Sequence, residues 1–219
     1  MTTDQVKAVR ATITQARMST YDAATPPGQA RIRRALKLYV WNAELASAFL
    51  IPLHLCEVAV RNAVADALAA QYGPRWPWIN ALQTSLPSPS FGYNPRADLA
   101  AARRNTTSTG KVIPEVKFAF WQRMLTSRYD NAIWNHQLIN VLPAADASLG
   151  VPALRMQVFN DLDRIRVLRN RIAHHEPIIA RNLAADLQAI KDLVNLRCGD
   201  LTQLLAAAER VTWALSQRP

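Results

Sequence analysis

Apolar residues recur every three to four positions along most of the chain, and prolines and glycines interrupt the pattern. That period belongs to helices that bury one stripe. Val6 to Met18 predicts a short helix, followed by a break at Pro26-Pro27-Gly28. From Gln29 a long helix is predicted. Ile32, Leu36, Tyr39 and Val40 recur along it, with Arg31, Arg33, Arg34 and Lys37 on other faces. It runs through Trp41, Leu45 and Phe49 to Pro52, where a proline kinks a helix or starts a new one. Leu53 to Tyr72 continues at helical spacing, and Gly73-Pro74 ends it.

Residues 73–113 have a different character. Proline falls at 74, 77, 87, 89 and 95, and the stretch closes on RRNTTSTGK. Short helices are predicted around Trp76, Trp78 and Ile79 and from Pro95 to Arg104. The remainder predicts an exposed, irregular connection. A basic, Ser/Thr-rich loop suits nucleic acid, but a disordered linker is the commoner use of such a composition.

Pro114 suits the first turn of a further helix, carrying Val116, Phe118, Phe120, Trp121, Met124 and Leu125. These aromatics sit at helical spacing, so they read as core and not as a base-stacking platform. Pro152 opens a helix with the stripe Leu154, Val158, Leu162, Ile165, Leu168 and Ile172, running on to His175 and ending near Pro177. Asn182 to Arg197 predicts another, stopped by Cys198-Gly199. Asp200 is the expected N-cap of a last helix, Leu201 to Leu215. No internal repeat is visible. The fold class predicted is all-α: one helical bundle over 1–219, with a long irregular connection around 73–113.

Composition agrees with helices, since glycine is scarce at 6 residues. It also adds a charge: 26 Lys+Arg against 16 Asp+Glu gives a formal net charge of +10. Such a surplus favours polyanionic partners, nucleic acid before an anionic membrane, although a generally arginine-rich composition has the same effect. Cys56 and Cys198 form no CxxC, so no zinc site is signalled. Cys56 lies in an apolar run and reads as core. The N-terminus lacks a secretory apolar stretch. The most apolar run, Ala43 to Val60, is interrupted by Glu44, Pro52, His54 and Glu57, which argues against a membrane span. A cytoplasmic location is the expectation.

The concentrated chemistry lies in RNRIAHHEP, Arg169 to Pro177, which holds two of the chain's four histidines. Asn170 and His174 are four apart and share a helix face, with Arg166 one turn earlier. Arg171 stands three before His174 and four before His175. Arg169 and His174 diverge by about 140° around the axis, so either the long arginine reaches back or the two meet across a two-fold axis. These residue types suit RNA transesterification. A histidine can move the proton of a ribose 2′-OH or of the leaving 5′-oxygen. An arginine can hold the phosphate and offset its growing charge. An asparagine can orient the histidine or bind the phosphate. Adjacent histidines splay about 100° apart, unlike an i,i+4 metal pair. The plainer alternative is a solvated helix face whose histidine offsets the helix dipole.

The stretch LRNRIAHHEPI, Leu168 to Ile178, resembles the signature of the HEPN superfamily: an arginine, then asparagine, then histidine four to six residues after the arginine. The doubled histidine followed by Glu-Pro resembles the Abi-like branch, named for abortive infection of phage. LHLCEVAVRNAV (Leu53 to Val64), YGPRW (Tyr72 to Trp76) and FAFWQRMLTSRYDNAIW (Phe118 to Trp134) fit that branch less specifically, so the resemblance spans about 30–215. It implies a HEPN-like helical bundle, commonly a homodimer with facing motifs. It also implies a metal-independent endoribonuclease without cofactor, often the toxin of a defence or toxin–antitoxin system with an antitoxin or regulatory partner. Carried over, Arg169 would bind the scissile phosphate, His174 would transfer a proton and Asn170 would position one of them. Arg166, Arg171 and His175 become candidate RNA contacts.

Two rival readings stand beside the nuclease: a non-catalytic RNA-binding or protein-interaction module, and a structural helical dimer with an incidental basic surface. Glu57, Arg61 and Asn62 form a second polar cluster, with Glu57 and Arg61 spaced for an ion pair. It reads equally as a buried or interface pair and as a neighbour of the site.

Overall fold

The computed structural model describes residues 1–219 and contains helices and loops without a single strand. The all-α expectation therefore holds. Thirteen α-helices follow in order: α1 Thr3–Ile13, α2 Gln15–Ala23, α3 Arg31–Ala48, α4 Leu50–Tyr72, α5 Asn80–Ser85, α6 Pro95–Ala102, α7 Thr109–Glu115, α8 Phe118–Met124, α9 Asn135–Val141, α10 Val151–Ala173, α11 Leu183–Arg197, α12 Gly199–Ala208 and α13 Val211–Ser216.

Local chemistry accounts for the boundaries. Pro52 has no N–H to give to Ala48, so the long apolar run breaks at Phe49 and resumes as α4. Gly73 ends α4 at φ +85, a conformation that strains any residue with a Cβ, and its N–H bonds to the Ala69 carbonyl. Gly150 precedes α10, and Pro152 occupies its first turn. All six stripe residues of α10, Leu154 to Ile172, are buried. Asn182 caps α11 through its side chain, which accepts from the Ala185 N–H at 3.1 Å.

α4 is the central element. It packs against α11, α8, α9 and α12, while α10 lies against α11 and α8. α3 packs against the α1–α2 hairpin through α2, and against α13. Buried side chains from Val6 to Ala214 join one contiguous core. By length and composition the Arg31–Tyr72 stretch is apolar enough to cross a membrane. Here it is two helices, and Leu45, Phe49, Cys56 and Leu68 on them are fully buried in that core.

Four expectations need correction. First, the remainder of 73–113 is not an exposed irregular connection: beside the two expected short elements, a 3₁₀ turn at Trp76–Trp78 and α6, it folds into helices α5 and α7. Trp76, Leu82, Leu86, Leu99 and Val112 enter the core, and Trp76 stacks on Phe120 at 6.4 Å between ring centroids. Arginines there satisfy carbonyls: Arg96 donates to Thr84 and Leu86, and Arg103 to Pro77 and Gln83. Second, Val6 to Met18 is split at Thr14 (φ +76), so that α1 and α2 fold back on each other and Arg10 pairs with Asp22 at 2.6 Å. Third, Pro114 closes α7 and does not open the next helix, which starts at Phe118. Fourth, the last predicted helix is broken at Glu209–Arg210. Asp200 lies inside the first turn of α12, while the Glu209 carboxylate accepts from the Thr212 N–H at 3.1 Å and begins α13.

Candidate functional site

α10 stays helical through Ala173, and His174 is its C-cap residue. The chain then turns sharply. The His175 N–H bonds to the Ile172 carbonyl at 3.0 Å and the Glu176 N–H to the Arg171 carbonyl at 2.8 Å. This is the Schellman pattern of helix termination, in which the residue after the cap adopts the left-handed conformation. That residue is His175, at φ +54. Glycine is the usual occupant, because a Cβ is strained there.

Three side chains hold this turn in place. Arg17 of α2 donates to the His175 carbonyl. Arg171 donates through Nε to the Pro177 carbonyl at 3.0 Å and lies 3.6 Å from the Glu176 carboxylate. Asn42 of α3 accepts the Ile178 N–H at 2.8 Å in a buried position. Ile178 and Ile179 then anchor the chain in the core. His174 and His175 are both exposed on this braced corner.

Arg169 sits about 7.5 Å further back along the axis, as a five-residue helical interval requires. Its side chain is 43% exposed, and its guanidinium lies 3.8 Å from the Glu57 carboxylate of α4. Glu57 also pairs with Arg61, so one largely buried carboxylate faces two guanidinium groups. The cluster noted in the sequence thus includes Arg169, while Asn62 is exposed. Arg169 can hold an anion while Glu57 fixes its position. Asn170 is half-buried beside it. Arg166 pairs with Asp163 at 2.8 Å, and Asp163 also accepts from Gln122 at 2.9 Å. The Arg166 hydrogen bond, then that of Gln122, holds the Asp163 carboxyl below its usual range.

The edge continues on α4. Leu50 lines a groove with Ala173, and Glu57 reaches Arg169, so exposed His54 lies between these two points of contact. Cys56, next to Glu57, is fully buried, and burial pushes its thiol up to about 12. It is a core residue, as expected, and is unreactive.

Arg169 and Asn170 thus lie in the last turns of α10 and His174 at its cap, with Arg171 and His175 in the terminal turn and Arg166 one turn before Asn170. Arg169 is held towards α4 by Glu57, and no hydrogen bond or ion pair joins it to His174. Sequence reasoning missed Arg17, Asn42 and His54 as neighbours. Arg17 and Asn42 act across 158 and 136 residues, and no local spacing announces such contacts. Comparisons of this chain with protein-family models, curated proteins and solved structures return no match.

Proposed function

We propose that the chain is a metal-independent endoribonuclease with a HEPN-like, Abi-like bundle, cutting RNA by attack of a ribose 2′-OH on the adjacent phosphorus. The observation that supports it is the end of α10: a part-exposed Arg169 anchored by Glu57, with an exposed histidine on a braced corner one and a half turns on. In this reading Arg169 holds the scissile phosphate and Asn170 positions the phosphate or the histidine. His174 moves a proton, either from the attacking 2′-oxygen or to the leaving 5′-oxygen. The O2′–P bond forms as the P–O5′ bond breaks, giving a 2′,3′-cyclic phosphate and a 5′-OH. Arg166, Arg171 and His175 contact flanking RNA.

Two copies facing each other would bring a second Arg169 and His174 to one phosphate. Leu50, Ile51 and Val58 leave apolar surface on α4 beside Glu57, which supports pairing through this edge. A cytoplasmic defence role, restrained by an antitoxin or regulatory protein, belongs to the same proposal. The test is incubation of the protein with total bacterial RNA in EDTA, beside His174→Ala and Arg169→Ala. Fragments with cyclic phosphate ends from the wild type alone support the reading. Equal cutting by the variants removes the site assignment. RNA binding that weakens steeply with salt, without any product, replaces the nuclease by a non-catalytic binding module.

A further inference from the structure

Beside the braced corner, α3 and the end of α10 enclose an open groove of about 420 Å³. Small-ligand clefts span about 300–1,000 Å³. Its walls include Tyr21, Tyr39, Asn42, Ser47, His175 and Glu176. The Tyr21 and Tyr39 rings meet edge to face, 5.2 Å apart and 77° between planes, and half-buried Tyr39 gives the groove an aromatic wall. Neither hydroxyl makes a hydrogen bond within the chain.

Asn42 gives the groove a polar direction. Only 6% of the residue is exposed, and its Oδ1 accepts the Ile178 N–H at 2.8 Å. That bond fixes the amide orientation, since a backbone N–H requires the oxygen. The Nδ2 group is left as a donor without a partner in the chain, and it escapes full burial because it borders the groove. Glu176 adds an acceptor: its carboxylate stands at the rim, 3.6 Å from Arg171. The groove thus pairs one oriented donor with one acceptor beside an aromatic wall.

We propose that this groove is a subsite for an unpaired nucleobase of the bound RNA. Every base presents an acceptor next to an N–H donor on its pairing edge: O6 and N1–H in guanine, O4 and N3–H in uracil, N1 and the amino group in adenine, N3 and the amino group in cytosine. Each such pair matches Asn42 Nδ2 and the Glu176 carboxylate, and Tyr39 offers an aromatic surface to any base, so the groove takes a base without choosing among the four. The proposal deepens the nuclease reading and rests on it, because the groove shares His175 and Glu176 with the turn that presents His174.

The experiment titrates the ¹⁵N-labelled full chain with each ribonucleoside 5′-monophosphate and follows the Asn42 side-chain amide, assigned by its loss in Asn42→Asp. All four nucleotides are expected to shift that signal, and ribose 5-phosphate, which lacks the base, to bind about tenfold more weakly, the effect of losing one buried hydrogen bond. Ser47→Trp, an exposed helical position on the groove wall, is expected to abolish the shift while leaving the remaining spectrum folded. Ribose 5-phosphate binding as tightly as the nucleotides, an unshifted Asn42 amide, or undiminished binding by Ser47→Trp overturns the subsite. The RNA assay separates the two claims. Base-dependent binding at Asn42 without RNA cleavage retains the subsite and removes the nuclease. Cleavage lost in His174→Ala, but indifferent to Ser47→Trp, retains the nuclease and removes the subsite.

Discussion

Replacing His175 by glycine is expected to stabilise the protein. The residue follows the helix cap at φ +54, and its side chain is exposed. Its backbone carries the contacts that matter: its N–H bonds to Ile172 and its carbonyl accepts from Arg17. Glycine keeps both. A left-handed residue bearing a Cβ costs roughly 1–2 kcal/mol relative to glycine. Glycine gives back part of that through the freer unfolded chain, by roughly 0.5–1 kcal/mol. The net expectation is a gain of about 0.5–1 kcal/mol, or about 2–4 °C per kcal/mol in Tm for a chain of this size. Urea unfolding is the assay, with His175→Ala as control. Alanine keeps the Cβ and hence the strain, so it should stay within about 0.5 kcal/mol of wild type. If glycine is no more stable than alanine, the strain argument is wrong. If glycine stabilises while RNA contact weakens, the histidine is there for what it meets and not for the fold.

Glu57→Gln leaves two guanidinium groups without their carboxylate, one of them with a buried, unpartnered Nε on Arg61. A loss of about 1–3 kcal/mol in urea unfolding is expected, with a roughly tenfold lower kcat/KM for RNA cleavage. Unchanged values would detach Glu57 from Arg169. Trp76→Ala removes a fully buried ring that stacks on Phe120 and should cost about 3–5 kcal/mol. A loss below about 1 kcal/mol would return 73–113 to the surface. The Arg10 hydrogen bond holds the Asp22 carboxyl below its usual value of 3.8. A depressed carboxylate contributes stability above the unfolded value and loses it as pH falls through the folded one. Hydrogen exchange in α1 and α2 should therefore accelerate as pH drops below about 4, relative to the intrinsic rate, and Asp22→Asn should remove that step.

Helix content was legible because it rests on a local period. The α10 stripe from Leu154 to Ile172 was read position by position, and all of it is buried. Within 73–113 the sequence marks the short elements at Trp76–Trp78 and Pro95–Ala102, but neither α5 and α7 nor the burial of the stretch, for an equally physical reason. Its prolines mark breaks between short helices, and the breaks obscure the apolar residues between them. Trp76, Leu82, Leu99 and Val112 are spaced too far apart for any single period to gather them. Charge conceals a structural role in the same way: Arg103 opens the basic, Ser/Thr-rich stretch, yet it donates to the Pro77 carbonyl within the fold, as Arg96 does to Thr84.

At the site, the sequence showed which residues carry chemistry, and the structure adds what holds them. Arg169, Asn170 and His174 lie within six residues, so the helical period places them on the last turns of one helix, with Arg169 and His174 about 140° apart around the axis. Glu57 reaches Arg169 from α4, and Arg17 and Asn42 reach the turn at His175 and Ile178 from α2 and α3, through contacts that no period encodes. The doubled histidine is where the two levels meet. As sequence, His174 and His175 look like equivalent neighbours. In the structure His174 caps a helix, whereas His175 occupies the one left-handed position of the turn. Glycine would fill that position at lower free energy and keep every backbone bond. A strained, exposed side chain bordering a groove with a free amide donor is therefore not explained by folding, and the RNA base proposed for that groove would give it a partner.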